Sequence, residues 1–117
     1  MAGKSSRFIR LALALLVPLL LVAAGPGFRT RRLLEQHYLK HGGEFGHISR
    51  AEYLRMAQSL RDTPVGGSIL EALKPGIITK FDRRTGAFGA YNRDGTIRTF
   101  FIPVGGEHYF QRQARRP

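Results

Sequence analysis

The chain has 117 residues, with 19 lysines and arginines against 8 aspartates and glutamates, for a net charge of +11 when its four histidines are neutral; it has no cysteine. That length allows one small domain, and the lack of cysteine excludes disulfide staples and thiolate zinc sites. The charge favours a polyanionic partner such as RNA, DNA or anionic lipid.

Lys4, Arg7 and Arg10 form a basic stretch, followed by an unbroken apolar run from Leu11 to Ala24 that contains Pro18. The run is shorter than the roughly 20 residues of a spanning helix and suits the apolar region of a signal peptide. Val22-Ala23-Ala24 offers small residues for cleavage after Ala24. The alternative is an uncleaved signal anchor extended through Phe28, with residues 8–24 in the membrane and a cytoplasmic N-terminus. The expected division is therefore a signal peptide or anchor with its linker over 1–27, and a single domain over 28–117. The chain is expected to be exported, to the periplasm or beyond, or anchored in the inner membrane. Removing the three N-terminal cations leaves 16 basic against 8 acidic side chains, a net +8.

After the Gly25-Pro26-Gly27 linker and the basic Arg29-Thr30-Arg31-Arg32, the spacing of Leu33, Leu34 and Tyr38 predicts a helix from about Thr30 to Lys40. Gly42-Gly43 is expected to end it in the left-handed cap conformation that glycine takes readily. Ser49-Arg50-Ala51-Glu52 matches a capping box at the start of a second helix. Tyr53, Leu54, Ala57 and Leu60 form its apolar stripe, and Thr63-Pro64 stops it. Ser68–Lys74 is expected to form one or two helical turns before Pro75-Gly76. The pattern then turns to strands. Ile77–Phe81, Ala87–Tyr91 and Thr96–Ile102 form a predicted three-stranded meander, with Asn92-Arg93-Asp94-Gly95 as a hairpin turn. Glu107–Arg112 returns as a short helix or an edge element. The expected fold is α+β, with a hydrophobic N-terminal segment followed by helices on a small antiparallel meander.

The most reactive stretch is His37-Tyr38-Leu39-Lys40-His41-Gly42-Gly43-Glu44. His37 and His41, four apart, share one helix face with Lys40 beside them. An imidazole both takes and gives a proton near neutrality. The pair could chelate a metal with Glu44, His47 or His108, but a His-x-x-x-His pair without the following glutamate is a weak signal. No metal or cofactor is expected. On the third strand Arg98 and Thr99 alternate, which predicts that they point to opposite sheet faces, as do Phe100 and Phe101. A helix imidazole–cation cluster facing a strand hydroxyl or guanidinium suits RNA cleavage. A base takes the ribose 2′-hydroxyl proton, a cation stabilises the phosphate oxygens and an acid protonates the leaving 5′-oxygen. DNA lacks that hydroxyl.

The segment from His37 through Lys40-His41, Glu44-Phe45-Gly46, the Glu52-Tyr53-Leu54 helix, Phe88-Gly89 and Asp94-Gly95-Thr96-Ile97-Arg98-Thr99-Phe100-Phe101 resembles the C-terminal toxin domains of bacterial secreted toxins. It is similar in particular to the colicin D-type tRNA nucleases and the wider barnase–EndoU–colicin E5/D–RelE superfamily. The likeness covers roughly residues 35–112. It implies a small α+β ribonuclease fold without a metal cofactor. On the matching positions it implies His41 as general base and Lys40 as charge stabiliser. It implies Thr99 as the hydroxyl on the scissile phosphate, His37 in support and Arg98 as a phosphate clamp. RNA, tRNA included, is the implied substrate, and a small acidic immunity protein the implied partner. Such toxins usually end a long delivery protein, whereas this sequence opens on a signal or anchor.

The competing reading is a non-catalytic, exported basic module that holds RNA, anionic lipid, a cell-wall polymer or a partner protein. It would use Tyr38, Tyr91, Tyr109 and one of Phe100 and Phe101; Tyr109 and Phe101 are also candidate substrate contacts in the enzyme reading. Glu44 is expected in a structural role, paired with an arginine. The domain is expected to be monomeric.

Overall fold

The computed structural model describes residues 25–117. The expected signal or anchor, with its apolar run from Leu11 to Ala24, lies outside the described residues.

Helix α1 spans Arg31–His41. Thr30 caps it in extended conformation, its hydroxyl accepting from the Leu33 N–H at 3.1 Å. The expected left-handed stop at Gly42 is corrected. Gly42 is right-handed (φ −55°), and the chain runs on through a 3-10 turn, Gly42–Phe45. The glycine with positive φ comes after that turn, Gly46 at φ +97° and ψ −160°. Glycine is needed at 42 for space, because a Cβ there would stand 2.7 Å from Cδ1 of Tyr38. That ring is pinned by its hydroxyl, which donates to the Ile48 carbonyl at 2.7 Å.

Helix α2 spans Arg50–Asp62 and opens with the expected capping box. The Glu52 N–H donates to Ser49 Oγ at 3.1 Å, and the Ser49 N–H donates to Glu52 Oε1 at 2.8 Å. These bonds hold the Glu52 carboxyl below its ordinary pKa.

Four strands follow: β1 Ile69–Lys74, β2 Ile77–Asp82, β3 Phe88–Asn92 and β4 Ile97–Phe101, in the order β1-β2-β3-β4 with every pair antiparallel. The helical turns expected over Ser68–Lys74 are thus a strand. Pro75-Gly76, with Gly76 at φ +76°, makes a two-residue turn that pairs Lys74 with Ile77, and the β2 ladder fixes the rest. Helix α3, Glu107–Arg115, resolves the ambiguous C-terminal segment as helical.

The sheet is covered on both faces. On one, Tyr53, Ala57 and Leu60 of α2 pack on Ile69, Tyr91, Ile97 and Phe100. On the other, Phe110 of α3 packs on Phe81, Phe88 and Ala90. Two buried phenols tie the first layer together: Tyr53 donates to the Phe100 carbonyl, and Tyr91 donates to the Ala57 carbonyl at 2.8 Å. Burial pushes both phenol pKa values up. The Lys80 ammonium, also buried, closes the end of α2 by donating to the carbonyls of Arg61, at 3.0 Å, and Thr63. Burial lowers its pKa. Helix α1 packs against α2 and the edge strand β4, with Leu34 and Tyr38 against the α2-side core. Its C-terminal end therefore comes to rest beside Thr99 and Phe101.

Candidate active site

A concavity of ≈ 500 Å³ opens at the β4 edge, between α1 and α3. Helix α1 contributes Gln36, His37, Lys40 and His41, β4 contributes Thr99 and Phe101, and α3 contributes Tyr109. Six of the seven candidate residues from the sequence thus share one hollow.

The seventh, Arg98, stands just outside it, and the expected alternation of Arg98 and Thr99 across the sheet is corrected. Tyr91 pairs with Ile97 and Ala90 pairs with Thr99, so Arg98 is the extra residue of a β-bulge. The bulge lets Ile97 and Phe100 both face the α2 side and leaves Phe101 on the other. Arg98 and Thr99 together line an adjoining concavity of ≈ 500 Å³ with Arg29, Leu33, Asn92 and Thr96. Thr99 lines both hollows, which adjoin there as a two-part groove beside α1. Phe100 and Phe101 do face opposite ways: Phe100 is core, and Phe101 is half-buried beside His41.

Each imidazole is anchored through Nδ1. His41 Nδ1 lies 2.8 Å from Glu44 Oε2, and its ring stacks on Phe101 with centroids 5.0 Å apart. His37 Nδ1 lies 2.8 Å from the Leu33 carbonyl oxygen, and its ring lies 4.8 Å from that of Phe28. A carbonyl or carboxylate oxygen accepts only, which assigns the hydrogen to Nδ1 in both rings. Nε2 of each neutral ring is then a bare acceptor, and the ring centroids stand 6.3 Å apart. Lys40, in the same last turn, is exposed and brings the ammonium. Phe101 and Tyr109 meet edge to face at 5.5 Å, and Arg112 lies over the Tyr109 ring.

Glu44 corrects a further expectation. It pairs with His41 and not with an arginine, and its other oxygen accepts the Ile102 N–H at 2.8 Å. One carboxylate therefore ties the His41 imidazole to the end of β4. The spacing of three between His41 and Glu44 was a usable signal; the meeting with Ile102, 58 residues on, was not.

The electrostatics are one-sided. The first turn of α1 carries Arg31 and Arg32 and no acid, so cations sit where the helix dipole is already positive. Such a charge arrangement opposes local stability. A separate, mainly apolar hollow of ≈ 440 Å³ beside α2 has only Asp82 and Arg84 as ionisable lining residues. Asp82 is occupied there by the Arg84 N–H, so that hollow offers no acid–base pair.

No protein-family model and no curated protein matches this chain.

Proposed function

We propose that this domain is a toxin-like endoribonuclease that cleaves RNA by attack of the 2′-hydroxyl on the adjacent phosphorus. The observation that carries the reading is the pair of imidazoles, each held through Nδ1 and sharing one concavity with Lys40 and Thr99. His41 Nε2 takes the 2′-hydroxyl proton while the Glu44 carboxylate stabilises the resulting imidazolium. The 2′-oxygen–phosphorus bond forms as the bond to the 5′-oxygen breaks. Lys40 bears on the phosphate oxygens as negative charge builds on them, and the Thr99 hydroxyl donates to one of them. His37, entering protonated, gives its Nε2 proton to the departing 5′-oxygen. The products are a 2′,3′-cyclic phosphate and a free 5′-hydroxyl; proton exchange with water resets both rings.

The resemblance to colicin D-type toxins supports the same assignment of His41, Lys40 and Thr99. In this reading the chain is exported or held at the membrane by its N-terminal segment, and a small acidic protein complements its basic groove. The direct test incubates the purified domain with total tRNA in excess EDTA. New fragments ending in 2′,3′-cyclic phosphate are expected. Intact RNA that stays bound to the protein would instead establish the non-catalytic basic module.

A further inference from the structure

We infer that the groove holds a second phosphate of the RNA strand, next to the scissile one, on a shelf formed by Arg98, Arg29 and Asn92. The inference rests on the ribonuclease reading for its substrate but on different residues. Thr99 lies at the junction of the two hollows. From there Arg98 reaches away from the imidazoles, its Nη1 donating to Asn92 Oδ1 at 2.9 Å. Asn92 is two positions beyond Ala90, the strand partner of Thr99, which places it about 7 Å farther along β3. That offset suits the next phosphate of a strand and is too long for a second oxygen of the same one. The bulge is what turns Arg98 to this side, since strict alternation would have sent it to the opposite face from Thr99. Among the described residues Asn92 takes up one of the five guanidinium N–H groups, and the rest of the fork can turn to phosphate oxygens. Arg29 lines the same hollow from the segment just before α1. The favoured ligand is therefore single-stranded RNA with at least one phosphate beyond the cleaved bond, and a dinucleotide carries none.

The test separates binding from cleavage. Fluorescently labelled 2′-deoxy di- and trinucleotides, which lack the attacking hydroxyl, are titrated with the protein at low salt. The wild type is expected to bind the trinucleotide about tenfold more tightly than the dinucleotide. Arg98→Ala and Arg29→Ala should each remove most of that gain, and each should flatten the dependence of log affinity on log salt by about one ion. Arg98→Lys should restore part of the gain. Retention of the full gain in both alanine variants would overturn the inference, as would an equal loss for both ligands, which would put Arg98 on the scissile phosphate. Cleavage of matched RNA oligonucleotides is followed in parallel. Uncleaved RNA with the length-dependent gain intact would refute the enzyme and leave the phosphate shelf standing.

Discussion

Glu44→Gln tests the centre of the proposed mechanism with one atom changed. Glu44 Oε2 meets His41 Nδ1 at 2.8 Å, and Oε1 accepts the Ile102 N–H at 2.8 Å. Both partners are donors, and a glutamine side chain has a single acceptor oxygen. If that oxygen stays on Ile102, the amide NH2 faces Nδ1, which must then accept. The ring hydrogen moves to Nε2, and His41 can no longer take a proton there. If the oxygen turns to His41, the NH2 confronts the Ile102 N–H and the tie to β4 is broken. A hydrogen bond to a charged partner contributes about 1.5–3 kcal/mol. At about 1.4 kcal/mol per factor of ten, its loss lowers kcat/KM roughly 10- to 150-fold. Initial rates on a fluorogenic RNA oligonucleotide in EDTA measure the change, and circular dichroism melting verifies the fold. A folded Glu44→Gln enzyme within twofold of wild type would refute the carboxylate–imidazole assignment.

Three further outcomes are expected. His41→Ala should abolish cleavage in a protein that still melts cooperatively, whereas Lys40→Ala should chiefly lower kcat, so an effect of Lys40→Ala confined to KM would contradict its transition-state role. Gly42→Ala should destabilise the domain by about 1–3 kcal/mol, since its Cβ would strike a Tyr38 ring that is bonded at its far end. Gly43→Ala, with nothing within 4 Å of the added carbon and no positive φ, should be neutral or stabilising by about 0.4–1 kcal/mol; urea denaturation giving the same sign for both would refute the packing argument. The carboxyls of Glu52, Asp94 and Glu107 are held below their ordinary pKa, by Ser49, by the Thr96 N–H and by Arg83 respectively. Their stabilisation is complete above the unfolded value of about 4 and is lost as the pH falls through the lower folded values. The urea midpoint should therefore hold from pH 7 to 5 and drop by pH 3, with a smaller drop in Glu52→Gln; an equal drop in both proteins would remove the Ser49 cap from the explanation.

Much of this molecule could be read locally. The Arg31–His41 helix with its Thr30 cap, the Ser49–Glu52 capping box, the Thr63 stop and the Asn92–Gly95 turn each depend on contacts within a few residues, so their signals survive in one dimension. β1 did not, because Ile69–Lys74 has apolar residues at mixed spacing and becomes a strand only through its ladder with β2. Gly42 was legible as a special position but not for the right reason, which lies in the Tyr38 ring above it.

The candidate site divides in the same way. His37, Lys40 and His41 share a face because a helix has 3.6 residues per turn, and no tertiary contact is needed to know it. Their meeting with Thr99, Phe101 and Tyr109 required α1 to dock on β4 and α3 to close the other side. The side of the sheet on which Arg98 emerges was decided by a bulge, and a bulge arises from how two strands pair, not from the composition of either one. The sequence by itself determined which reactive groups sit on α1 and the sign of their charge. The tertiary structure alone decided which hydroxyl and aromatic rings they face, and that Glu44 also meets Ile102, because those partners lie across contacts spanning about half the chain.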